Sequence, residues 1–223
     1  RRRNAPPVAL LLLAPLCAWA LLPGYVPVIR SHALTYTAFA LMLWLAERVA
    51  TDRRLWWPWM VVLFLGWANV HGGFVTGFAV PAAYALVGTA GFLAGRLTGA
   101  RRAPPALWPW LVMVAGAAAT LANPWGWRFY RYLIPALLHP RPRIDEWAPL
   151  TVWGWDAFTG FRLLSVIAVI MAAALWWRLR PDRRLRLAPA LVILALTVAA
   201  GWLHRRHAPF AGLAAAALLP ALI

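Results

Sequence analysis

The sequence contains no lysine, six acidic residues and a single cysteine. With one cysteine, Cys17, no internal disulfide can form, and we interpret this residue as a small buried hydrophobe in an apolar run. Solvation gives no reason to exclude lysine, so we attribute its absence to a GC-rich genome. Walker, Rossmann, G-x-S-x-G, paired C-x-x-C and kinase motifs are also missing, so the enzyme classes that they mark are not indicated.

Hydrophobic residues make up 63% of the chain, more than a water-soluble domain of this length can bury. They form runs of ~16 to 22 residues, enough to cross a ~30 Å hydrocarbon core when flanking residues help. We predict an all-α fold, a polytopic transmembrane helix bundle of about seven or eight spans that forms a single domain over 1–223. The predicted spans are 8–28, 33–47, 55–70, 74–95, 106–122, 161–177, 188–203 and 208–223.

The net charge of +16 would suggest nucleic-acid binding in a soluble protein. Here the arginines lie in short clusters between apolar runs, where they orient the spans and contact anionic lipid headgroups. We therefore predict membrane lipid, and no nucleic acid, as a partner. Fourteen of the 22 arginines fall on one side of the predicted spans, which the positive-inside rule makes cytoplasmic. The outer eight are Arg30, Arg128, Arg131, Arg141, Arg143, Arg162, Arg205 and Arg206.

The predicted outer side also holds all five histidines and three of the six acidic residues. Polar groups at span ends are unfavourable unless they are paired, hydrated or functional. Their accumulation on one side predicts an outward-facing polar cavity, to which we expect the regions around His71, Glu146 and Arg206 to converge. The candidate substrate-binding residues are Arg30, His32, Asn69, His71, Arg128, Arg205, Arg206 and His207.

The longest predicted connection, at about 123–160, lies on this outer side. Its first part, 125–138, mixes aromatic and aliphatic residues with two arginines, a composition typical of a helix lying in the membrane interface. Its second part contains Asp145 and Glu146, the candidate catalytic residues. Either carboxylate could act as a general base or hold a divalent cation, or simply pair with the neighbouring Arg141 and Arg143.

Two short polar segments join predicted spans on the same side. Asn69 and His71 precede a Gly-Gly reversal and either line the cavity or are hydrated groups of a plain helical hairpin. In the segment 204–207, Arg205 and Arg206 offer paired donors suited to a phosphate or a carboxylate. The two flanking histidines could ligate a transition metal, but no accompanying metal motif is found, and we predict no metal site there.

Five segments form an ordered series along the chain. They are Arg30-Ser-His32-Ala-Leu-Thr-Tyr36, Trp67-Ala-Asn69-Val-His71-Gly72-Gly73-Phe74, Asn123-Pro124-Trp-Gly126, Glu146-Trp147-Ala-Pro149 and Arg206-His-Ala-Pro209-Phe210. The series resembles the C-terminal half of a family of bacterial polytopic membrane proteins. That family is similar to the GT-C glycosyltransferases, the class of the dolichyl-phosphate mannosyltransferases and of the oligosaccharyltransferase catalytic subunit. The resemblance covers nearly the whole chain, and its motifs mark a family rather than a reaction.

The resemblance implies sugar transfer from a polyprenyl-phosphate donor at the outer face of the bacterial inner membrane. It implies that the arginines neutralise the lipid phosphate and that Asn69 and His71 bond sugar hydroxyls or phosphate oxygens. Such enzymes carry a catalytic acidic residue in their first outer loop, whereas the corresponding connection here holds Arg30 and His32 without an acid. Either that loop lies upstream of Arg1 or the chain is not a competent transferase.

The chain begins without methionine and ends at Ile223 inside an apolar run. We therefore expect a fragment that lacks N-terminal spans and is inactive alone. Two other classes of function stay open. A transporter or flippase would use the same cavity as a substrate path and would show broken spans and charges near the middle of the membrane. A non-catalytic membrane assembly subunit has no positive feature in the sequence.

Overall fold

The computed structural model describes residues 7–24, 31–52, 55–100, 103–139, 143–178 and 180–222. Helix accounts for 80% of the structure, and no strand occurs in the described residues. The predicted all-α fold is therefore confirmed. Ten α-helices are present in these ranges: α1 Pro7–Leu21, α2 His32–Thr51, α3 Trp57–Val70, α4 Phe74–Gly77, α5 Ala79–Leu97, α6 Trp108–Thr120, α7 Arg128–Leu138, α8 Thr159–Arg178, α9 Pro181–Leu203 and α10 Ala208–Leu222.

Within the described residues, three helical segments are long and apolar enough to cross a membrane: Phe74–Leu97, Thr159–Arg178 and Arg184–Leu203. The first comprises α4 and α5, which are separated by a turn at Phe78. Other apolar helices are shorter than the predicted runs. Trp108–Thr120 has 13 residues, a length of ~20 Å at 1.5 Å per residue. Proline in its first turn sets its start, because proline lacks the amide that the helix interior needs.

The described residues form two compact units. Unit 1 takes its residues from 1–36 and 140–223, and unit 2 takes its residues from 37–139. Helices α1, α8, α9 and α10 pack against one another in unit 1, and helices α3, α4, α5 and α6 do so in unit 2. Helix α2 contributes residues up to Tyr36 to unit 1 and the following residues to unit 2.

Close helix packing in unit 1 depends on small residues. A Cβ atom at Gly160 would lie 2.6 Å from the Trp19 ring, and one at Gly201 would lie 2.6 Å from the Phe161 ring. Phe161 itself is fully buried. Glycine at such positions lets helix backbones approach closely, which is how helices associate where lipid removes the hydrophobic driving force.

In unit 2, glycine likewise allows close packing around one aromatic side chain. Phe64 of α3 is fully buried and stacks on Phe78 with ring centroids 4.1 Å apart. A Cβ atom at Gly116 would lie 2.7 Å from the Phe64 ring. In the core of unit 2, the Phe64 ring therefore packs directly against Gly116 of α6. A larger side chain at Gly116 would force the ring to shift.

Candidate functional site

The candidate site lies in unit 1, at the turn between α9 and α10. Helix α9 ends at Leu203, His204 is extended, and Arg205–His207 form one turn of 3-10 helix before α10 begins. A second 3-10 turn, Asp145–Trp147, lies against the first. The placement of these two turns brings together six of the sequence-predicted candidates, namely His32, Asp145, Glu146, Arg205, Arg206 and His207.

Backbone hydrogen bonds hold the two turns together. The Leu150 amide donates to the Trp202 carbonyl at 3.0 Å, and the Arg205 amide donates to the Ala148 carbonyl at 3.1 Å. The His204 ring adds a third link, 2.7 Å from Nδ1 to the Trp147 carbonyl. Since a carbonyl only accepts, Nδ1 of His204 carries the proton. The segment before α8 is thus fixed on the end of α9.

Arg206 is the centre of the cluster. Its guanidinium lies over the Trp147 ring, 4.6 Å from the centroid, and forms an ion pair with Glu146 at 3.7 Å between Nη1 and Oε1. Its Nη2 donates to Nε2 of His32. A guanidinium has no acceptor, so Nε2 of His32 is unprotonated in this arrangement. Four groups from three segments of the chain therefore fix one another.

Tyr36 extends this cluster into α2. Its hydroxyl donates to the Arg206 carbonyl at 3.2 Å, and its ring meets Phe210 edge to face at 5.2 Å. Tyr36 is buried. Tyr36 ends the first of the five sequence segments and had no predicted role, and in the structure it supports the turn that carries Arg206.

Arg205 differs from Arg206 in its surroundings. Its Nη1 donates to both oxygens of Asp145, at 2.6 and 2.8 Å. The Asp145 side chain is 84% exposed, compared with 27% for Arg205. Within the part of the chain that the structure describes, the buried Nε–H of Arg205 has no hydrogen-bond acceptor. One end of this guanidinium therefore meets an exposed carboxylate, while its Nε edge has a donor that is not satisfied.

His207 is the last residue of the turn that carries the two arginines. Its ring is 5.6 Å from that of His204 and 6.0 Å from that of Phe210, measured between centroids. Burial, followed by the nearby charge of Arg206 and the imidazoles of His204 and His32, lowers the pKa of His207 to about 4. His207 is consequently neutral near pH 7, and the positive charge of the site comes from the arginines.

A second charged group in unit 1 organises the loop before α8. Arg162, whose side chain is 10% exposed, pairs with Asp156 at 2.7 Å and donates to the carbonyls of Thr151 and Gly154 at 2.9 and 3.0 Å. The hydrogen bond from Arg162 lowers the pKa of Asp156. Sequence reasoning placed Arg162 on the outer side and missed this function, since its partners are mostly backbone carbonyls.

The remaining candidates have other positions. Asn69 and His71 belong to unit 2, where they lie at the end of α3. Asn69 donates to the carbonyls of Leu65 and Ala122 at 2.8 and 3.0 Å, and Nδ1 of His71 accepts from the Gly73 amide at 3.0 Å. Arg128 is the first residue of α7, also in unit 2, and is exposed. Arg30 lies outside the described residues.

The described residues contain no group of three His, Cys, Asp or Glu side chains placed to hold a metal ion. The arrangement places fixed cations beside carboxylates. No protein-family model, no curated protein and no solved structure matches this chain.

Proposed function

We propose that the protein is a membrane-embedded glycosyltransferase of the GT-C kind, which binds a polyprenyl-phosphate sugar at the outer face of the bacterial inner membrane. The observation that carries the proposal is the Arg205 guanidinium, with an exposed carboxylate at one end and an unsatisfied Nε–H at its other edge. A buried donor without an acceptor is unfavourable by about 1–3 kcal/mol. An anionic oxygen would supply the missing acceptor once the groups that cover this edge move aside.

A phosphate matches this edge of Arg205 in shape as well as in charge. The planar guanidinium presents donors in a fork that fits two phosphate oxygens, whereas an ammonium group acts as a point charge. Arg206 is held by Trp147, Glu146 and His32 and adds a second positive charge beside the first. The proposed ligand is therefore the phosphate of the lipid donor.

Glu146 is the proposed general base in the transfer. The acceptor hydroxyl oxygen would bond to the anomeric carbon as the bond from that carbon to the phosphate oxygen breaks. The hydroxyl proton would pass to the Glu146 carboxylate, which is 35% exposed, and polyprenyl phosphate would leave with one more negative charge. Arg205 would stabilise that developing charge, the usual role of fixed cations in phosphate departure.

The proposed membrane arrangement has seven or eight spans, formed by the helices that coincide with the eight apolar runs. The three segments long enough to cross support it, as do exposed apolar side chains such as Leu11 and Val114, at 73% and 72% exposure. Such surface is unfavourable in water. The shorter helices would need tilted ends or local thinning of the bilayer.

The alternative is a transporter or flippase, for which breaks near the middle of spans are the structural sign. The interruption falls at Phe78, the fifth residue of the Phe74–Leu97 segment. It is therefore at the end of the segment. Arg162 likewise lies in the first turn of α8. Both positions favour an interfacial site over a path through the membrane.

Binding of a polyprenyl phosphate tests the proposal most directly. The protein in nanodiscs would be titrated with short-chain polyprenyl phosphate and, separately, with the uncharged polyprenol. We expect Arg205→Gln to weaken phosphate binding by about 10-fold or more, since a hydrogen bond to a charged group contributes roughly 1.5–3 kcal/mol. Arg205→Lys should give an intermediate loss, because the charge remains and the fork does not. Arg143→Gln, at an exposed arginine of the 123–160 connection, is the matched charge control.

Transfer itself needs a second assay, in membranes that contain the protein and a radiolabelled polyprenyl-phosphate sugar. Glu146→Gln should abolish label transfer while leaving binding of the phosphate within about threefold. Equal binding of polyprenol and polyprenyl phosphate by the wild type would refute the site. Phosphate binding with equal transfer by the wild type and Glu146→Gln would refute only the assigned base.

A further inference from the structure

Two tryptophans in the loop before α8 are almost fully exposed. Trp153 is 87% exposed and Trp155 is 90% exposed, the largest values among the bulky aromatic side chains of the described residues. Gly154, between them, has a φ of +144°, which side chains rarely permit. Two exposed indoles separated by one residue are unfavourable in water and indicate an interaction surface.

The loop that carries these indoles is held firmly. Arg162 bonds the carbonyls of Thr151 and Gly154 on either side of Trp153. Asp156, directly after Trp155, pairs with the same guanidinium, and its carboxylate accepts from the Phe158 amide at 2.8 Å. Since the backbone is fixed around both indoles, their exposure belongs to the fold itself.

The position of the loop along the chain indicates what covers these indoles. Helix α8 begins at Thr159 and has 20 residues, a length of ~30 Å that matches the hydrocarbon core. Its other end carries a second pair of exposed tryptophans, Trp176 and Trp177, at 48% and 80% exposure. Indole rings prefer the headgroup level of both membrane surfaces. A tryptophan pair thus flanks each end of one span-length helix.

The surface of α8 between the two pairs has the character of a lipid-facing stripe. Leu163, Val166 and Ile170 are 43%, 58% and 62% exposed, and their spacing of three and four residues places them on one side of the helix. The opposite side, with Phe161 and Leu164, is fully buried. A continuous apolar stripe ends in indoles at both limits.

We propose that Trp153 and Trp155 anchor unit 1 in the outer headgroup layer of the phospholipid bilayer, with the exposed stripe of α8 facing the acyl chains. The occupant of this surface is lipid. The inference depends on the membrane part of the proposed function and is independent of sugar transfer. The Trp147–Leu150 segment is bonded to the turn that carries Arg205 and leads directly into this loop. The same anchor would therefore hold the candidate site near the headgroup layer.

Site-directed spin labelling tests the depth of each position. Cys17 is the only cysteine, so Cys17→Ala provides the background for single labels introduced by Trp155→Cys, Ile170→Cys and Trp177→Cys. All three positions are exposed, so labels there leave the core intact. Accessibility to oxygen and to a water-soluble nickel chelate would be measured in phosphatidylethanolamine and phosphatidylglycerol vesicles, with spin-labelled phospholipids for calibration.

We expect labels at 155 and 177 at headgroup depth and the label at 170 about 10 Å deeper than that at 177, from a rise of 1.5 Å per residue. A label at 155 as accessible to nickel as a label in water, with 170 deep, would overturn this inference alone. That result would leave a carbohydrate or a partner protein as the occupant. Nickel access at 170 equal to that in water would overturn membrane insertion of α8 and, with it, the membrane part of the proposed function.

Discussion

The turn after α3 in unit 2 and the turn before α10 in unit 1 both contain polar side chains that the sequence marked as substrate-binding candidates, yet their partners differ in kind. In unit 2, Asn69 donates to the carbonyls of Leu65 and Ala122, and His71 accepts a backbone amide. In unit 1, Arg205 and Arg206 pair with the side chains of Asp145 and Glu146. The polar side chains of the first turn bond backbone groups, and those of the second form ion pairs with charged side chains.

This difference separates structural roles from binding roles. Carbonyls at and just beyond a helix end have no partner within the helix, and the Asn69 amide supplies a donor to one of these, the Ala122 carbonyl after α6. An ion pair with an exposed carboxylate contributes little to stability and exchanges readily. We infer that unit 2 uses its polar turn to hold α3 and α6, and that unit 1 uses its own for a ligand.

Substitution of Arg162 should have the largest effect on stability. Arg162 is a charged residue of unit 1, but like Asn69 of unit 2 it donates to backbone carbonyls. Arg162→Ala would leave the Thr151 and Gly154 carbonyls and the Asp156 carboxylate without their donor. We expect the free energy of unfolding to fall by about 3 kcal/mol, measured by SDS titration in mixed micelles. Arg178→Ala, at the exposed end of the same helix, should change it by less than about 0.5 kcal/mol. Equal losses for the two variants would remove the structural role of Arg162.

The half-buried imidazole of His207 in unit 1 predicts a dependence of stability on pH. The pKa of His207 is about 4 in the fold and about 6.5 when unfolded, so the unfolded chain binds the proton first as pH falls. Stability is therefore full above pH 6.5 and declines towards pH 4, by about 2 kcal/mol at pH 5. His207→Phe should flatten the change in thermal midpoint between pH 7.5 and 5. His139→Phe, at an exposed histidine of unit 2, should retain the wild-type slope.

Asn69 tests the structural half of the comparison. Asn69→Ala removes two hydrogen bonds to carbonyls, and we expect a loss of about 1 kcal/mol with unchanged affinity for polyprenyl phosphate. Asn69→Asp should be worse than alanine, because a carboxylate would face two carbonyl oxygens. Loss of phosphate binding at full stability in either variant would move Asn69 from structure to ligand recognition.

Substitution of Asp145 should have the smallest effect on stability, and it should strengthen the binding of phosphate instead of weakening it. Asp145→Asn removes the exposed carboxylate that competes for Arg205, so stability should change by less than about 0.5 kcal/mol. Affinity for polyprenyl phosphate should rise about two- to fivefold. In an Arg205→Gln background the same substitution should have no effect, which a double-mutant cycle would measure. Weaker phosphate binding by Asp145→Asn would show that the carboxylate helps the ligand instead of competing with it.

The presence of a helix in each predicted span could be inferred from the length of the apolar runs, because helix formation there depends on local sequence. Each of the eight apolar runs contains a helix, because apolar length acts within the segment, even where a proline such as Pro15 or Pro189 lies inside the helix. The helix limits were less predictable. Helix α9 begins at Pro181, ahead of the predicted 188, because an arginine-rich first turn is still a good helix. The turn at Phe78, which divides the run 74–95, has no signal in the apolar pattern.

The candidate site was predictable in its residue types and not in its pairings. His32, Glu146 and Arg206 stand out as polar groups within an apolar sequence, and the structure brings them together. The support from Tyr36 and the loop contacts of Arg162 depend on tertiary neighbours, which spacing alone does not reveal. The predicted convergence of His71 with Glu146 and Arg206 stays a prediction, since His71 belongs to unit 2.

The bond between Arg206 and His32 joins residues 174 positions apart, and this separation has a consequence for biogenesis. At roughly 5–20 residues per second, synthesis takes about 10–35 s to pass from one to the other. Throughout that time His32 and Tyr36 have emerged and the turn that completes their cluster has not been made. All of unit 2 is synthesised in the interval. Within residues 1–223 the candidate site is thus one of the last features to form, and a chain truncated before Arg205 would contain His32 and Tyr36 without the arginine that they contact.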